Sequence, residues 1–249
     1  MGNFVTEVLG SAVFAFTCSA VSPSIPIVQS FLKSQSVHVE DLHVIIGAFF
    51  LILTFFCTGF WGALSRGACM NPAFALANLT QGKFSPFKFV WTCVGACLGQ
   101  FLGVCALAIV LQEYGYPAGA RQMSPVQYGA EYNHAVGAEF VVTLLCMLVA
   151  FLIVPSLGMY GGVVNSGFYC IIMYLEGCQY SCAVTNPAAV FAQHAWHLHG
   201  IHGFQGLIHQ DLWNAVAPYV IGTMSAALSA SLVALALKPK KKEEKDKIL

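Results

Sequence analysis

The tripeptide Asn-Pro-Ala occurs twice, as Asn71-Pro72-Ala73 and Asn186-Pro187-Ala188, each time inside an apolar stretch. Helix-favouring residues follow each copy, Phe74-Ala75-Leu76-Ala77 and Ala189-Val190-Phe191-Ala192. Asn suits an N-cap because its side-chain oxygen accepts from an early backbone N–H. Proline suits the first helical position, where its missing N–H costs nothing. Each tripeptide therefore predicts the start of a short helix. Within a membrane, such a start turns the positive end of a half-helix dipole, together with an Asn amide, toward a cavity.

The rest of the chain supports that setting. Of 249 residues, 57% are hydrophobic and only 9% charged, which excludes an ordinary soluble domain. Apolar segments long enough to cross a bilayer, for which about 20 residues are needed, follow one another almost without interruption. No basic stripe with interleaved aromatics is present, so nucleic acid is excluded as a partner. No nucleophile–base pair, phosphate-binding loop or metalloprotease pattern occurs, so neither enzyme chemistry nor a cofactor is expected. The N-terminus lacks the features of a cleaved signal peptide and reads as running straight into a span. Its first six residues also fit a loose myristoylation pattern, which a membrane helix starting at once makes the weaker reading.

Spans are expected at about residues 4–20, 42–63, 89–111, 135–154, 163–176 and 212–237. Residues 21–41, with Pro23 and Pro26, read as a loop, and 155–162 as a short turn. A half-helix of about ten residues follows the first tripeptide; it is too short to span and should be re-entrant. A second follows the other tripeptide and is expected to end in a histidine-rich loop, 194–209. The polar connection 112–133 divides the chain, so that residues 1–237 form one membrane domain of two repeats, about 1–111 and 134–237, with a charged tail at 238–249.

Each repeat reads span, span, tripeptide half-helix, span. Early in each first span an acid is followed four residues on by a hydroxyl, Glu7 with Ser11 and Glu139 with Thr143. Three spans per repeat is an odd number, so the second repeat must be inverted relative to the first, a recurrent transport architecture. Positive charge sets the orientation. With both termini cytosolic, Arg66, Lys83, Lys88 and six tail lysines face inward, against Lys33 and Arg121 outside.

Paired Asn-Pro-Ala half-helices, six spans and matched glutamates make the chain resemble the aquaporin, or major intrinsic protein, family. The resemblance implies an all-α membrane fold of six transmembrane helices and two re-entrant half-helices in an inverted repeat, a homotetramer in the lipid bilayer, and a passive channel for water and small neutral solutes. It implies that Asn71 and Asn186 donate to single-file water and that Glu7 and Glu139 brace the re-entrant loops. A proton path through the two glutamates is the alternative, and their symmetry favours the brace. By family offsets, the outer constriction falls on Leu51, Tyr174, Ala183 and Ala189, where Ala189 replaces the usual arginine. That replacement implies a wider, less polar filter, open to glycerol or hydrogen peroxide. Cys69 stands where the family commonly has histidine. The missing arginine and lysine-rich tail resemble the small intracellular plant-type subgroup, although there the first tripeptide is often altered and here both are intact. A closed structural junction or scaffold protein on the same fold and a weakly ion-conducting channel are the rival functions.

Most of the ten cysteines fall in spans and act as small hydrophobes. Cys69, Cys178 and Cys182 instead lie beside the tripeptide loops, with Cys69 and Cys182 flanking the expected path. Cys178 and Cys182 could pair in a disulfide, the minority reading. His194, His197, His199, His202 and His209 read as a polar loop without bound metal, with pH sensing and zinc or copper binding as alternatives. Lys245 and Lys247 stand fifth and third from the last residue, resembling a dilysine signal read by coat proteins; endoplasmic reticulum or another internal membrane is favoured over the plasma membrane. Contact with anionic lipid is the other reading of the tail.

Overall fold

The computed structural model describes residues 4–40, 42–64, 68–116, 131–160, 164–165, 167–169, 171–172, 181 and 184–237. Its elements are α1 (Phe4–Ser19), α2 (Val21–Ser34), α3 (Leu42–Leu64), α4 (Pro72–Thr80), α5 (Pro86–Glu113), α6 (Tyr132–Leu148), α7 (Pro187–His202) and α8 (Gln210–Ala236). The expected fifth span is helical where described, at 164–165, 167–169 and 171–172. Among the described residues, α5, the continuous run Tyr132–Leu157 that begins with α6, and α8 are each long and apolar enough to cross a membrane. Together α1 and α2 make a further, bent candidate. This is the all-α membrane architecture that the repeat pattern implies.

Three stretches depart from the sequence expectations. The loop expected at 21–41 is largely α2, which continues α1 with a bend of 45°. Pro23 lies in the first turn of α2, where a missing N–H costs little, and Pro26 follows soon after the start; they bend the helix without ending it. The expected turn at 155–162 begins as helix: α6 passes through a π turn, Val149–Ile153, into the 3-10 turn Val154–Tyr160. The histidine-rich stretch is not a loop either. His194, His197, His199 and His202 all ride on α7, which continues through Gly200. It stops at Gly203, whose φ of 61° suits glycine at a helix end, and the 3-10 turn Gly203–Ile208 leads to α8.

The first half-helix is short because both of its ends are specified. Asn71 caps its start, and Gly82, at φ 71°, turns the chain just beyond its last residue. Ser85 then caps α5, its Oγ accepting from the Lys88 N–H at 3.2 Å, with Pro86 at the first helical position. At 1.5 Å per residue, nine residues reach about 13 Å, less than half of a bilayer core.

Two seams of small residues hold the repeats together. On α5, Gly95, Gly99 and Gly103 recur every four residues and face α1. A Cβ on Gly99 would strike the Val8 carbonyl, and one on Gly103 the Ala12 carbonyl. On α8, Gly222 faces α6 so closely that a Cβ would lie 2.7 Å from the Val136 carbonyl oxygen and 2.8 Å from Glu139 Cβ. Buried Ala226, Ala230 and Ala234 continue that stripe. In lipid, apolar burial gives helices no reason to associate, so close backbone approach and dispersion must do it. The half-helices pack onto these long helices through small residues of their own. Ala73 and Ala77 of α4 meet Ala227 and Ala230, and Ala192 of α7 joins the cluster of Val104 and Ala108.

Because the α1–α5 seam meets backbone carbonyls, it cannot yield to even one added methyl. Gly99→Ala should destabilise the protein by about 3 kcal/mol, whereas Gly137→Ala, on α6 with nothing within 4 Å, should be close to neutral. Thermal unfolding of the two purified variants in detergent checks this; equal melting temperatures would rule out the seam.

Candidate functional site

The two half-helix starts are built alike. Asn71 has extended φ, ψ of −148° and 119°, and its Oδ1 accepts from the Ala73 N–H at 2.9 Å. Asn186, at −130° and 99°, accepts from the Ala188 N–H at 3.2 Å. Their amides then cross. Asn71 Nδ2 donates to the Thr185 carbonyl at 3.0 Å, and Asn186 Nδ2 donates to the Met70 carbonyl at 3.1 Å. Each asparagine is thus tied to the residue immediately before its counterpart, which brings the two helix N-termini together. An amide nitrogen carries two hydrogens, so each crossing bond leaves one N–H per side chain with its direction fixed.

The acceptors are presented by strained backbone. Met70 and Thr185 both adopt positive φ, 56° and 54°, a region that side-chain-bearing residues rarely enter. Two buried carboxylates hold the segments there. Glu7, on α1, accepts from the Cys69 N–H at 2.8 Å and the Met70 N–H at 2.9 Å. Glu139, on α6, accepts from the Val184 and Thr185 N–H groups, both at 2.9 Å. Both oxygens of each carboxylate are therefore engaged with backbone. The seams set this reach, since Gly95 lies against Glu7 Cβ and Gly222 against Glu139 Cβ.

Further contacts steady the two loops. Trp61 Nε1 donates to the Thr6 carbonyl at 2.9 Å, and its ring and Met70 Sδ crowd the side-chain-free face of Gly10. Tyr219, fully buried on α8, donates through its hydroxyl to the Ser181 carbonyl at 3.1 Å. The Tyr169 and Thr185 hydroxyls lie 2.8 Å apart. Cys69 is half-buried, and its sulfur accepts from Asn78 Nδ2 at 3.4 Å, tying the loop back to α4.

Of the four constriction candidates, Ala189 lies buried in the first turn of α7, its N–H directed to the Asn186 carbonyl at 3.1 Å. Leu51 is on α3, but its side chain, together with Tyr174, Ala183, Cys178 and Cys182, lies outside the described residues. The histidines form no metal-ligating group of three among the described residues. Instead His199 stacks on Trp196 and His202 on His209, the latter rings 4.8 Å apart. His209 caps α8, its Nδ1 accepting from the Asp211 N–H at 3.3 Å.

Sequence reasoning passed over Met70, Thr185 and Tyr169. Neither Met nor Thr signals positive φ, and their carbonyls enter the site through backbone, which composition does not encode. The glycine stripe at 95, 99 and 103 did carry a legible signal in its four-residue spacing.

The solved structure of the aquaglyceroporin from Plasmodium falciparum superposes with a TM-score of 0.69 over 95% of this chain and 96% of that one, at 13% identity. At that identity the likeness is one of fold. No curated protein sequence matches the chain. The family description "Major intrinsic protein" matches residues 1–230, nearly the whole length. With that match over both repeats, the chain belongs to the major intrinsic protein family.

Proposed function

We propose that the chain is a passive transmembrane channel for water and small neutral solutes. The crossed asparagine pair carries this reading: two amides, each with one N–H left over, are fixed between two converging helix N-termini. Donors held there orient each water in a file, and the positive helix ends raise the energy of a cation passing between them. The match to the major intrinsic protein family supports transport as the activity. Asn71 and Asn186 are the pore donors, and Glu7 and Glu139 act as braces, because backbone N–H groups occupy both oxygens of each carboxylate.

Leu51, Tyr174, Ala183 and Ala189 form the outer constriction in this reading. A methyl at Ala189 leaves the filter wide and uncharged, which favours solutes such as glycerol or hydrogen peroxide beside water. The similar protein from Plasmodium falciparum is described as an aquaglyceroporin, in keeping with solute passage. Each protomer of a homotetramer would carry its own pore, with both termini cytosolic by the distribution of Lys and Arg. The lysine tail supports an internal membrane, with coat-protein recognition as its means. A closed junction or scaffold protein would show the same fold without flux.

The decisive experiment is stopped-flow shrinkage of proteoliposomes with water, glycerol, urea and hydrogen peroxide as permeants. Wild-type protein should pass water and at least one of these solutes, and a protein that passes none is the scaffold. Ala189→Arg should cut solute flux at least about tenfold more than water flux, because a guanidinium narrows the filter yet bonds water well. Equal loss of both fluxes would remove Ala189 from the constriction.

Asn186→Asp tests the centre. A carboxylate cannot donate to the Met70 carbonyl, so one crossing bond is lost and an anion stands where a neutral donor stood. Cation leak, read by a voltage-sensitive dye at matched protein density, should rise several-fold. Unchanged leak and unchanged water flux in a folded protein would place the pore elsewhere.

A further inference from the structure

We propose that Tyr169 is a positioning residue for Asn71, acting through the hydroxyl and backbone of Thr185. The inference rests on Asn71 as a pore donor and adds the group that aims it. Thr185 is β-branched and sits at φ 54°, where such a side chain is rarely found. A backbone of this kind persists only when its surroundings over-determine it. Every polar atom of Thr185 is engaged. Its N–H donates to Glu139 Oε2 at 2.9 Å, its carbonyl accepts from Asn71 Nδ2 at 3.0 Å, and its hydroxyl meets the Tyr169 hydroxyl at 2.8 Å.

The two repeats differ at this point. Met70 has the matching backbone bonds, to Glu7 and Asn186, but its side chain is apolar and packs against Gly10 beside Trp61. The first loop is thus seated by packing, and the second by a hydrogen bond. That bond is well protected, because Thr185 and Tyr169 are both buried and no solvent competes for either hydroxyl. Cys146 packs against Tyr169 in the same buried cluster. Cys146 lies seven residues, two helical turns, beyond Glu139 on α6 and so shares its face. One helix therefore holds Thr185 twice, through Glu139 at its N–H and through Tyr169 at its side chain.

The consequence for Asn71 follows from amide geometry. Its Nδ2 hydrogens are fixed relative to each other in one plane, so whatever holds one directs the other. The Thr185 carbonyl holds the first. If the Thr185 hydroxyl loses its partner, the strained backbone can relax and carry that carbonyl away, and the second Asn71 N–H loses its aim.

The test uses full-length protein in proteoliposomes, with unit water permeability and thermal unfolding measured for every variant. Tyr169→Phe and Thr185→Val each remove one hydroxyl and should lower unit permeability about fivefold, the effect of one hydrogen bond. The double variant should be no worse than either single one, and Thr185→Ser should behave like wild type. Coupling to Asn71 distinguishes positioning from general support. In an Asn71→Ala background, Tyr169→Phe should change little further in permeability or melting temperature, whereas in an Asn186→Ala background it should keep its full effect. Additive losses, equal coupling to both asparagines, or unaltered permeability in Tyr169→Phe would each overturn the proposal. So would failure of both hydroxyl deletions to fold, which would assign the pair to stability alone. A wild type that passes no water would defeat the channel reading instead; the same cycles read by thermal unfolding would still test the link, and additivity there would refute it.

Discussion

Two helix N-termini that meet inside a lipid layer present backbone N–H groups that lipid cannot satisfy, and each one left there without a partner costs several kcal/mol. The structure depends on how these groups are satisfied. Asparagine oxygens take the Ala73 and Ala188 N–H groups at the helix starts. Glutamate oxygens take those of Cys69, Met70, Val184 and Thr185 just ahead of them. The asparagine nitrogens then donate to the Met70 and Thr185 carbonyls. Four side chains thus settle both loops, and what is left over at the centre is donor character. The same bonds that allow irregular backbone to lie within a membrane also leave one N–H on each asparagine, the donors on which the proposed channel rests.

Such an arrangement tolerates little displacement, which explains the small-residue seams. A glutamate on α1 reaches the first loop only if α1 is seated deeply, and Gly95, Gly99 and Gly103 on α5 provide that seat. The second repeat solves the same problem with Gly222 and the alanines that follow it. Gly95 and Gly222 each lie against the Cβ of a bracing glutamate, so helix packing and loop geometry are one constraint seen at two levels.

Symmetry ends where the side chains before the asparagines differ. Methionine at 70 and threonine at 185 share a backbone conformation but are anchored by different physics, dispersion in one case and a buried hydroxyl pair in the other. The half-helices differ as well, nine residues against sixteen, and the longer one carries four histidines on its body and far end. An inverted repeat therefore does not make the two faces of the protein equivalent.

The sequence by itself determined the larger plan. The duplicated tripeptide, the matched acids Glu7 and Glu139, and the apolar runs between them are local signals, and where the structure describes them they survive as capped helix starts, buried carboxylates and helices. Local signals failed where a neighbour decided. Pro23 and Pro26 read as loop residues, but near a helix start proline bends a chain without ending it. The histidine-rich stretch read as a polar loop, yet Gly203 and not Gly200 takes the conformation that ends α7. Only the tertiary structure placed the crossing bonds, because their acceptors are backbone carbonyls of Met70 and Thr185, more than a hundred residues away from their donors. Any residue carries a carbonyl, so no side-chain pattern can announce which one will be used. That choice belongs to the packing of α1 on α5 and of α6 on α8, which fixes where the strained backbone of each loop must point.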